Sequence, residues 1–338
     1  MAEEKTTAQH GKSRMEIVKE DESGIRLDRW FKRHYPAFSH GQLQKFLRTG
    51  QIRVEGKRVE SSDRLEAGQA IRIPPQFAPL QKGGGEKKGG RKNAMPQAEW
   101  LRDCVLFEDD DVIALNKPAG LAVQGGTGLK RNLDDLLIIF ARDGVTKPKL
   151  VHRLDRETSG VLLIARNDFA AARLAASFRE RETEKIYWAL TMGIPKPKEG
   201  RIDAPLVRRG EKTIVTAPAD PDSKTASTLY RVVESAKKKI AFVVLWPLTG
   251  RTHQLRVHMA HLGTPILGDR LYGNEIDPTL CADEMGDGLH LHARRLVIPH
   301  PRRGVIDVTA PLGPEMQKTW DCFQFDSKAE TLFEKSKS

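Results

Sequence analysis

The sequence predicts an α+β protein in two parts: a small αα-β unit, then a larger domain built on a largely antiparallel, mixed sheet. Three observations predict it. Between residues 23 and 74, two short helical patterns are followed by brief alternating runs. Residues 75–98 hold five glycines and five bases against one acid, a composition that buries no core and acts as a linker. From 99 to 325 strand-like runs dominate, with too few helices between them for a doubly wound sheet. Residues 1–22, with six acids and four bases, and residues 326–338 are expected to be loose tails.

In the first part, "GIRLDRWFKRHYP" carries apolar residues at 25, 27, 30, 31 and 35, near helical spacing, and stops at Pro36. "SHGQLQKFLRTG" repeats the pattern, with Ser39 as N-cap, Leu43, Phe46 and Leu47 as the apolar face and Gly50 as the stop. "QIRVEGKRVE" predicts a hairpin around its Gly-Lys turn, and "DRLEAGQAIRIP" a turn with a closing strand. In the second part, "DDVIALNKPAG" predicts a buried strand ending in a Pro-Ala-Gly turn. "NLDDLLIIFARDG" predicts an amphipathic helix capped by Asn132 and stopped by Gly144. "KLVHRLD" and "GVLLIARN" predict flanking strands, followed by a helix from Asp168 to about Glu182. "EKIYWALTMG", "KTASTLYRVVES" and "KIAFVVLWPL" add three strands, and Thr252 to Leu262 a helix. "LHLHARRLVIPH" and "GVIDVTAP" close the sheet.

Charge narrows the function. The chain has 56 Lys and Arg against 45 Asp and Glu, a net +11, and a pI near 9.5. Such an excess favours a polyanionic partner. Residues 25–73 alone hold 11 bases and 5 acids, a net +6. Cys104, Cys281 and Cys322 lie far apart, which argues against a secreted disulfide scaffold. "MAEEKTTAQHGKSRMEI" has no apolar leader, and no run approaches the roughly 18 apolar residues of a membrane helix. A cytoplasmic protein without a membrane partner is expected.

The tetrapeptide Arg-Leu-Asp-Arg occurs twice, at 26–29 and 153–156. In "VHRLDRETSG", Asp155 follows an apolar run and precedes a turn, so it is expected at a strand end, presented to a cleft. Asp28 falls within a helical pattern and is expected to be a solvated first-turn acid. Taken alone, Asp155 fits an ion pair with a neighbouring arginine better than it fits catalysis.

"HRLDRETSG" (152–160), with "NKPAGLAVQGG" (116–126), "EKIYWAL" (184–190) and "LTGRTHQLRVHMAHLGTPILGDRLYG" (248–273), resembles the Rlu-type ribosomal large-subunit pseudouridine synthases. The likeness is to the RluC-like branch and covers roughly residues 20–325. It implies a pseudouridine synthase fold preceded by an S4-type RNA-binding domain, and conversion of specific uridines in 23S-type rRNA to pseudouridine. That reaction breaks the bond from the ribose anomeric carbon to uracil nitrogen, turns the base and rejoins it through carbon 5. There is no net redox or hydrolysis, so no cofactor is implied.

By the same resemblance Asp155 is the catalytic carboxylate, acting as nucleophile or by a glycal route, and Arg256 is the cation paired with it. A carboxylate in a water-poor pocket needs such a partner to stay ionised. Tyr187 corresponds to the active-site tyrosine that stacks on the flipped base. Arg153 corresponds to the wedge that fills the gap left by the extruded nucleotide. Arg251, Lys117 and Leu255 are candidate substrate-binding residues, with Arg251 and Lys117 on phosphate or orienting loops. In the S4-like part, Arg29, Lys32, Arg33, Lys45, Arg48, Arg53, Lys57 and Arg58 are the RNA-binding candidates. Gln124 departs from the family, many members having histidine there.

Rival readings are weaker. His253, His258 and His261 share one predicted helix and His290 and His292 one strand face, but no His-Glu-x-x-His spacing supports a metal site. A synthetase with an S4-type domain would need a His-x-Gly-His signature, which is missing. A non-catalytic RNA-binding ribosome assembly factor fits the charge equally well, but has no need of a carboxylate at position 155. An rRNA substrate and a monomeric enzyme are the expectation.

Overall fold

Alternation of buried and exposed residues begins earlier than the composition suggests. The computed structural model describes residues 14–35, 40–74, 98–125, 132–142, 144–180, 182–273, 284–329 and 333. The chain divides into two units, Met1–Lys88 and Gly89–Ser338. The first contains β1 (Arg14–Ile17), a 3-10 turn (Glu20–Glu22), α1 (Leu27–His34), α2 (His40–Arg48), β2 (Arg53–Val54) and β3 (Ala70–Ile73). Its antiparallel sheet runs β1-β3-β2. Leu27, Trp30 and Phe31 line one stripe of α1 and pack with Leu43, Leu47, Ile52, Ile71 and Ile73 into a closed core. Glu22 is buried beneath them, accepting from Trp30 Nε1 at 3.0 Å and sharing a 2.6 Å bond with His34 Nε2.

Two expectations change here. Residues 1–22 are not all tail, because Arg14–Ile17 pairs along Ala70–Ile73 with Arg14 opposite Ile73; residues 1–13, like Ser39, lie outside the described residues. The predicted hairpin after β2 turns one residue earlier than expected and closes with a single bridge, in which Val54 and Lys57 exchange backbone hydrogen bonds at 3.2 and 2.9 Å. Glu55 and Gly56 turn the chain through positive φ, yet β2 pairs with β3, where Val54 meets Ile71 and both enter the core. Burial of those two side chains outweighs extension of the local hairpin.

The second unit contains β4 (Val105–Glu108), β5 (Val112–Lys117), α3 (Leu133–Leu136), a 3-10 turn (Leu137–Phe140), β6 (Lys149–Leu150), β7 (Ser159–Ala165), α4 (Asp168–Glu180) and β8 (Glu184–Met192). It continues with β9 (Glu199–Asp203), β10 (Leu206–Arg209), β11 (Lys212–Val215), β12 (Ser227–Ala236), β13 (Ile240–Pro247), α5 (Gln254–His261), β14 (Leu291–Pro299), β15 (Val305–Thr309) and α6 (Pro314–Phe323). The main sheet runs β4-β5-β7-β14-β8-β13-β12-β9, with β6 beside β7 and β15 beside β14. Only β7 and β14 pair in parallel among the described strands, so the sheet is mixed and largely antiparallel. β7 and the first six residues of β13 are buried at every position, which is why they read as continuous apolar runs rather than alternating ones.

Register prepares the site. Gly160 of β7 lies opposite Ala293 of β14, Ala293 opposite Tyr187 of β8, and Tyr187 opposite Leu245 of β13. These four residues form one row across the sheet. The loop carrying Asp155 enters just before the row, and the loop into α5 leaves just after it.

Three further boundaries differ from expectation. The 132–144 helix is a four-residue α-helix capped by Asn132, whose Oδ1 accepts from Asp135 N–H at 3.1 Å, and it tightens to 3-10 from Leu137. The β-branched Ile138 and Ile139 disfavour continuation, and Leu136, Leu137, Ile139 and Phe140 are all buried. The C-terminal tail is also shorter than expected, since Ala329 and Phe333 pack against the cluster around Trp188 and Trp320. At the other end, Ala98, assigned to the linker, is buried in the core around Leu115 and Leu162; linker residues 75–97 lie outside the described residues.

Candidate active site

The segment 151–158 was expected to continue a strand to Asp155. It does not. Strand β6 ends at Leu150 because the His152 ring takes over, its Nε2 accepting the Leu163 N–H at 2.8 Å. That ring stacks on Phe178 of α4 at 4.4 Å, and burial pushes its pKa down to about 3, so it stays neutral. Asp155 therefore sits in a loop, closed by Thr158 N–H donating to the Asp155 carbonyl at 3.2 Å.

Lys117 pins this loop from below. It is fully buried, and its Nζ donates to the carbonyls of Pro118, Leu121 and Arg156 at 2.7, 2.9 and 3.1 Å. Burial brings its pKa down to about 7, against the pull of Glu157 and Asp155. Of its two expected roles, phosphate or loop orientation, the geometry fits the second: the ammonium is spent on the "NKPAG" and "RLDR" loops and does not line the cavity. Gly160 fixes the far end of the loop. With φ +106°, a Cβ there would lie 2.2 Å from the Ala293 carbonyl oxygen, so only glycine lets β7 and β14 approach.

The opposite wall is the loop from β13 into α5. Gln254 organises it, its Oε1 accepting from Thr249 Oγ1 and Arg251 N–H and its Nε2 donating to the Ser227 carbonyl and Thr228 Oγ1. His253 precedes the helix in the left-handed region, at φ +55°. Its Nε2 lies 4.0 Å from Asp155 Oδ2, and its Nδ1 is 2.8 Å from the Tyr272 hydroxyl. Thr213 of β11 donates to the same phenolic oxygen from its N–H, at 2.8 Å. When Tyr272 in turn donates its O–H to His253 Nδ1, the ring proton belongs on Nε2, the nitrogen nearer Asp155. Burial pushes the His253 pKa down, Asp155 opposes and Arg256 adds to the depression, so the ring is neutral near pH 7.

Arg256 was expected to pair directly with Asp155. Instead its Nε and Nη2 make a bidentate bond to Asp269, both at 2.7 Å. Asp269 has no exposed side chain and also accepts from the N–H groups of Leu271 and Tyr272. The guanidinium lies over the Tyr272 ring, 5.1 Å from its centre. Burial works against its charge, but Asp269 and then Asp155 outweigh it and keep the pKa raised. Arg256 therefore acts on Asp155 through space, while its position is set by Asp269.

These walls enclose a cavity of about 660 Å³. Arg153, Asp155, Tyr187, Arg251, Leu255 and Arg256 all line it; Lys117 does not. Burial, with Asp155 second, pushes the Tyr187 phenol well above its ordinary range. Arg251 is partly tied down, its Nε donating to the Thr225 carbonyl at 3.0 Å. His253 was weighed in the sequence only as a metal ligand, and Asp269 and Tyr272 were given no role, although one signal was available. Helix α5 contains no acid, so a buried Arg256 needs a remote carboxylate, and Asp269 is the first acid after the helix. The paired histidines of "HLH" are also accounted for: His290 bonds Thr319 Oγ1 at 2.7 Å and His292 bonds Ser159 Oγ at 2.8 Å.

Comparison with known proteins fits this geometry. A family model described as RNA pseudouridylate synthase matches residues 111–261. The ribosomal large subunit pseudouridine synthase C of Vibrio vulnificus is 35% identical over 302 residues, covering 89% of this chain and 93% of its own. The chain belongs to the RNA pseudouridylate synthase family. The synthase is also 38% identical over 258 residues to the large subunit pseudouridine synthase C of Rickettsia bellii, covering 74% of this chain and 83% of that one. Among solved structures, human RNA pseudouridylate synthase domain containing 4 is 29% identical, with TM-score 0.60, covering 68% of this chain and 97% of that chain. Human RNA pseudouridylate synthase domain containing 1 is 27% identical, with TM-score 0.53, over 65% of this chain. The synthase is thus an isomerase acting on RNA, and nothing found favours the non-catalytic assembly factor. Among its described residues no helix is long and apolar enough to cross a membrane.

In the first unit, Arg29, Lys32 and Arg33 lie exposed on α1, Lys45 and Arg48 on α2, and Lys57 and Arg58 after β2. Arg53 is half-buried and braces the turn, donating to the carbonyls of Gly50 and Gly56 at 3.2 and 2.9 Å. Arg58 lies alongside, its Nε 3.2 Å and Arg53 Nη2 3.7 Å from where a Gly50 Cβ would be. Arg33 stands 3.8 Å from Asp21 and 3.9 Å from Glu22.

Proposed function

We propose that the protein converts uridines of large-subunit ribosomal RNA to pseudouridine, with the Asp155 carboxylate acting at the ribose. The observation that carries this reading is that Asp155 lines one cavity with Tyr187, His253 and Arg256, in a volume within the usual range of roughly 300–1,000 Å³ for small-ligand sites. The flipped uridine stacks on Tyr187, and Arg153, at the mouth, fills the gap it leaves in the RNA. Asp155 then adds to the anomeric carbon, or removes a neighbouring ribose proton, as the bond to uracil nitrogen breaks. The base turns within the cavity, and carbon 5 joins the sugar as the bond to Asp155 breaks or the ribose proton returns; carbon 5 then gives up its proton while the freed uracil nitrogen takes one up, so the product is an isomer. Arg256, held by Asp269, keeps a positive field on the carboxylate, and the His253 Nε2–H supplies a hydrogen-bond donor beside it. Leu255 forms an apolar wall for the base, and Arg251 meets the backbone.

The first unit serves, on this reading, as an S4-type RNA-binding domain whose described residues run from 14 to 74. Residues 75–97 join it to a catalytic domain that starts at Ala98 and runs past 325. The exposed bases of α1, of α2 and of the Lys57–Arg58 turn, with the paired guanidiniums of Arg53 and Arg58, suit phosphate contacts that position without reading sequence. The protein works as a monomer in the cytoplasm, where ribosomal RNA is made.

Asp155→Asn tests the reading. Pseudouridine formation, followed by mass mapping of the RNA, is expected to fall on the order of a thousandfold or more. RNA affinity should stay within about tenfold, because phosphate contacts dominate binding. Unchanged modification would remove Asp155 from the chemistry.

A further inference from the structure

Lys185 lies two residues before Tyr187 on β8, so by strand alternation both side chains leave the same face. Ile186 and Trp188 go to the other face and enter the core. Like Tyr187, Lys185 lines the cavity. The other cations sunk into this unit are each committed. Lys117 holds three carbonyls, Arg256 holds Asp269, and Arg294 donates to the carbonyls of Ala310 and Ser327. Lys185 pairs with Leu296 through the sheet, but among the described residues its ammonium makes no hydrogen bond and no ion pair.

Its surroundings leave it open. Gly250, opposite, has no side chain, and a Cβ there would lie 3.9 Å from Lys185 Nζ. The neutral His152 ring is within its field and offers no counter-charge. Five cationic side chains line the cavity, Arg153, Arg179, Lys185, Arg251 and Arg256, against a single carboxylate, Asp155. Asp155 also faces Lys117, His253 and Arg256 and does not answer for Lys185, whose pKa burial alone pushes down. The side chain is half-buried, so its ammonium is only partly withdrawn from water, and a ligand that brings negative charge to it gains most there. A neutral uracil carbonyl compensates only in part, whereas a phosphodiester oxygen carries the formal charge required.

We propose that Lys185 is a phosphate-binding residue inside the cavity, its ammonium taking a phosphodiester oxygen adjoining the uridine that meets Asp155. This rests on the reading of the cavity as the nucleotide site. The site selects a nucleotide within a chain over a free nucleoside, since only the former brings the anion. Together with Tyr187, the Lys185 side of β8 grips one nucleotide by its backbone and by its base.

The test uses the full chain, fluorescein-labelled pentauridylate as probe, and anisotropy at several salt concentrations. Lys185→Gln should weaken binding roughly tenfold and lower the slope of log affinity against log salt by about 0.7, the value of one lost phosphate contact on a single strand. Lys185→Arg should restore the slope, and Lys185→Met, which keeps the stem, should behave as the glutamine variant does. Competition by uridine, which has no phosphate, should be unaffected. An unchanged salt slope in folded Lys185→Gln overturns the proposal, and so does an equal loss of uridine binding, which would put the ammonium on the base. None of these readouts uses turnover, so a fully active Asp155→Asn enzyme would fault the chemical reading and leave the phosphate contact standing.

Discussion

Arg-Leu-Asp-Arg occurs at 26–29 and at 153–156, and the two copies share nothing but their letters. In the first, Asp28 opens helix α1 and Arg26 closes on it with two hydrogen bonds, at 3.2 and 2.7 Å. In the second, neither arginine takes the aspartate. Arg153 is exposed at the cavity, while Arg156 turns to Glu157 and to the Gly120 carbonyl. Asp155 is left to His253 at 4.0 Å and to the field of Arg256. The difference shows that a carboxylate is available for chemistry where the fold withholds its neighbours' charges. In a helix the first-turn geometry brings Arg26 and Asp28 together; in the loop, backbone bonds from Lys117 and Thr158 hold the peptide so that they stay apart.

Substitutions at and around the two copies sharpen that contrast. The largest effect belongs to Asp155→Asn, whose loss of activity should be on the order of a thousandfold. Next comes Asp269→Asn, which leaves Arg256 buried without its partner and should cost about 3 kcal/mol of stability, read by denaturant unfolding. The same substitution should flatten acid denaturation. Burial raises the Asp269 pKa, but its bonds to Arg256 and to the 271–272 backbone more than reverse this and leave it depressed. Its contribution is therefore full above the unfolded value of about 4 and is lost as pH falls through the lower folded value. A variant whose stability kept the wild-type acid dependence would remove Asp269 as the anchor.

Tyr272→Phe keeps the ring against Arg256 but removes the O–H that fixes His253. We expect kcat to fall roughly tenfold with KM little changed, and nitrogen NMR to show the His253 ring no longer held as the Nε2–H form. A wild-type kcat would show that the tautomer is immaterial. The smallest effect is expected at the other copy. Asp28→Asn should leave pseudouridine formation at the wild-type level in a turnover assay, and a large loss there would mean that the first Arg-Leu-Asp-Arg takes part in the chemistry.

Much of the site was legible because its motifs are local. The loops of "NKPAG" and "HRLDRETSG", the strand of "EKIYWAL" and the helix of "HQLRVH" were each placed near their true positions. Five of the six site candidates besides Asp155 line the cavity, and Lys117, buried on three carbonyls, fits the loop-orienting one of its two expected roles. What failed was anything decided by a distant partner. Arg256 was matched to Asp155 although Asp269 holds it, the hairpin after β2 was run past its single Val54–Lys57 bridge, and β6 was run on to Asp155. In each case a buried contact from elsewhere in the chain overruled a sound local pattern.

By itself the sequence determined an α+β chain with a basic N-terminal part, a strand-rich second part and most of the candidates that line the cavity. Periodicity, turn chemistry and charge are written in neighbouring residues, so they can be read without a fold. Only the tertiary structure decided who faces whom. The row Gly160, Ala293, Tyr187 and Leu245 depends on a strand order that inserts β14 between β7 and β8. That row brings an aspartate, a tyrosine and an arginine from widely separated segments to one cavity. The physical reason is burial: strand neighbours are chosen by the apolar surface they cover together, and the charged side chains go where that choice leaves them.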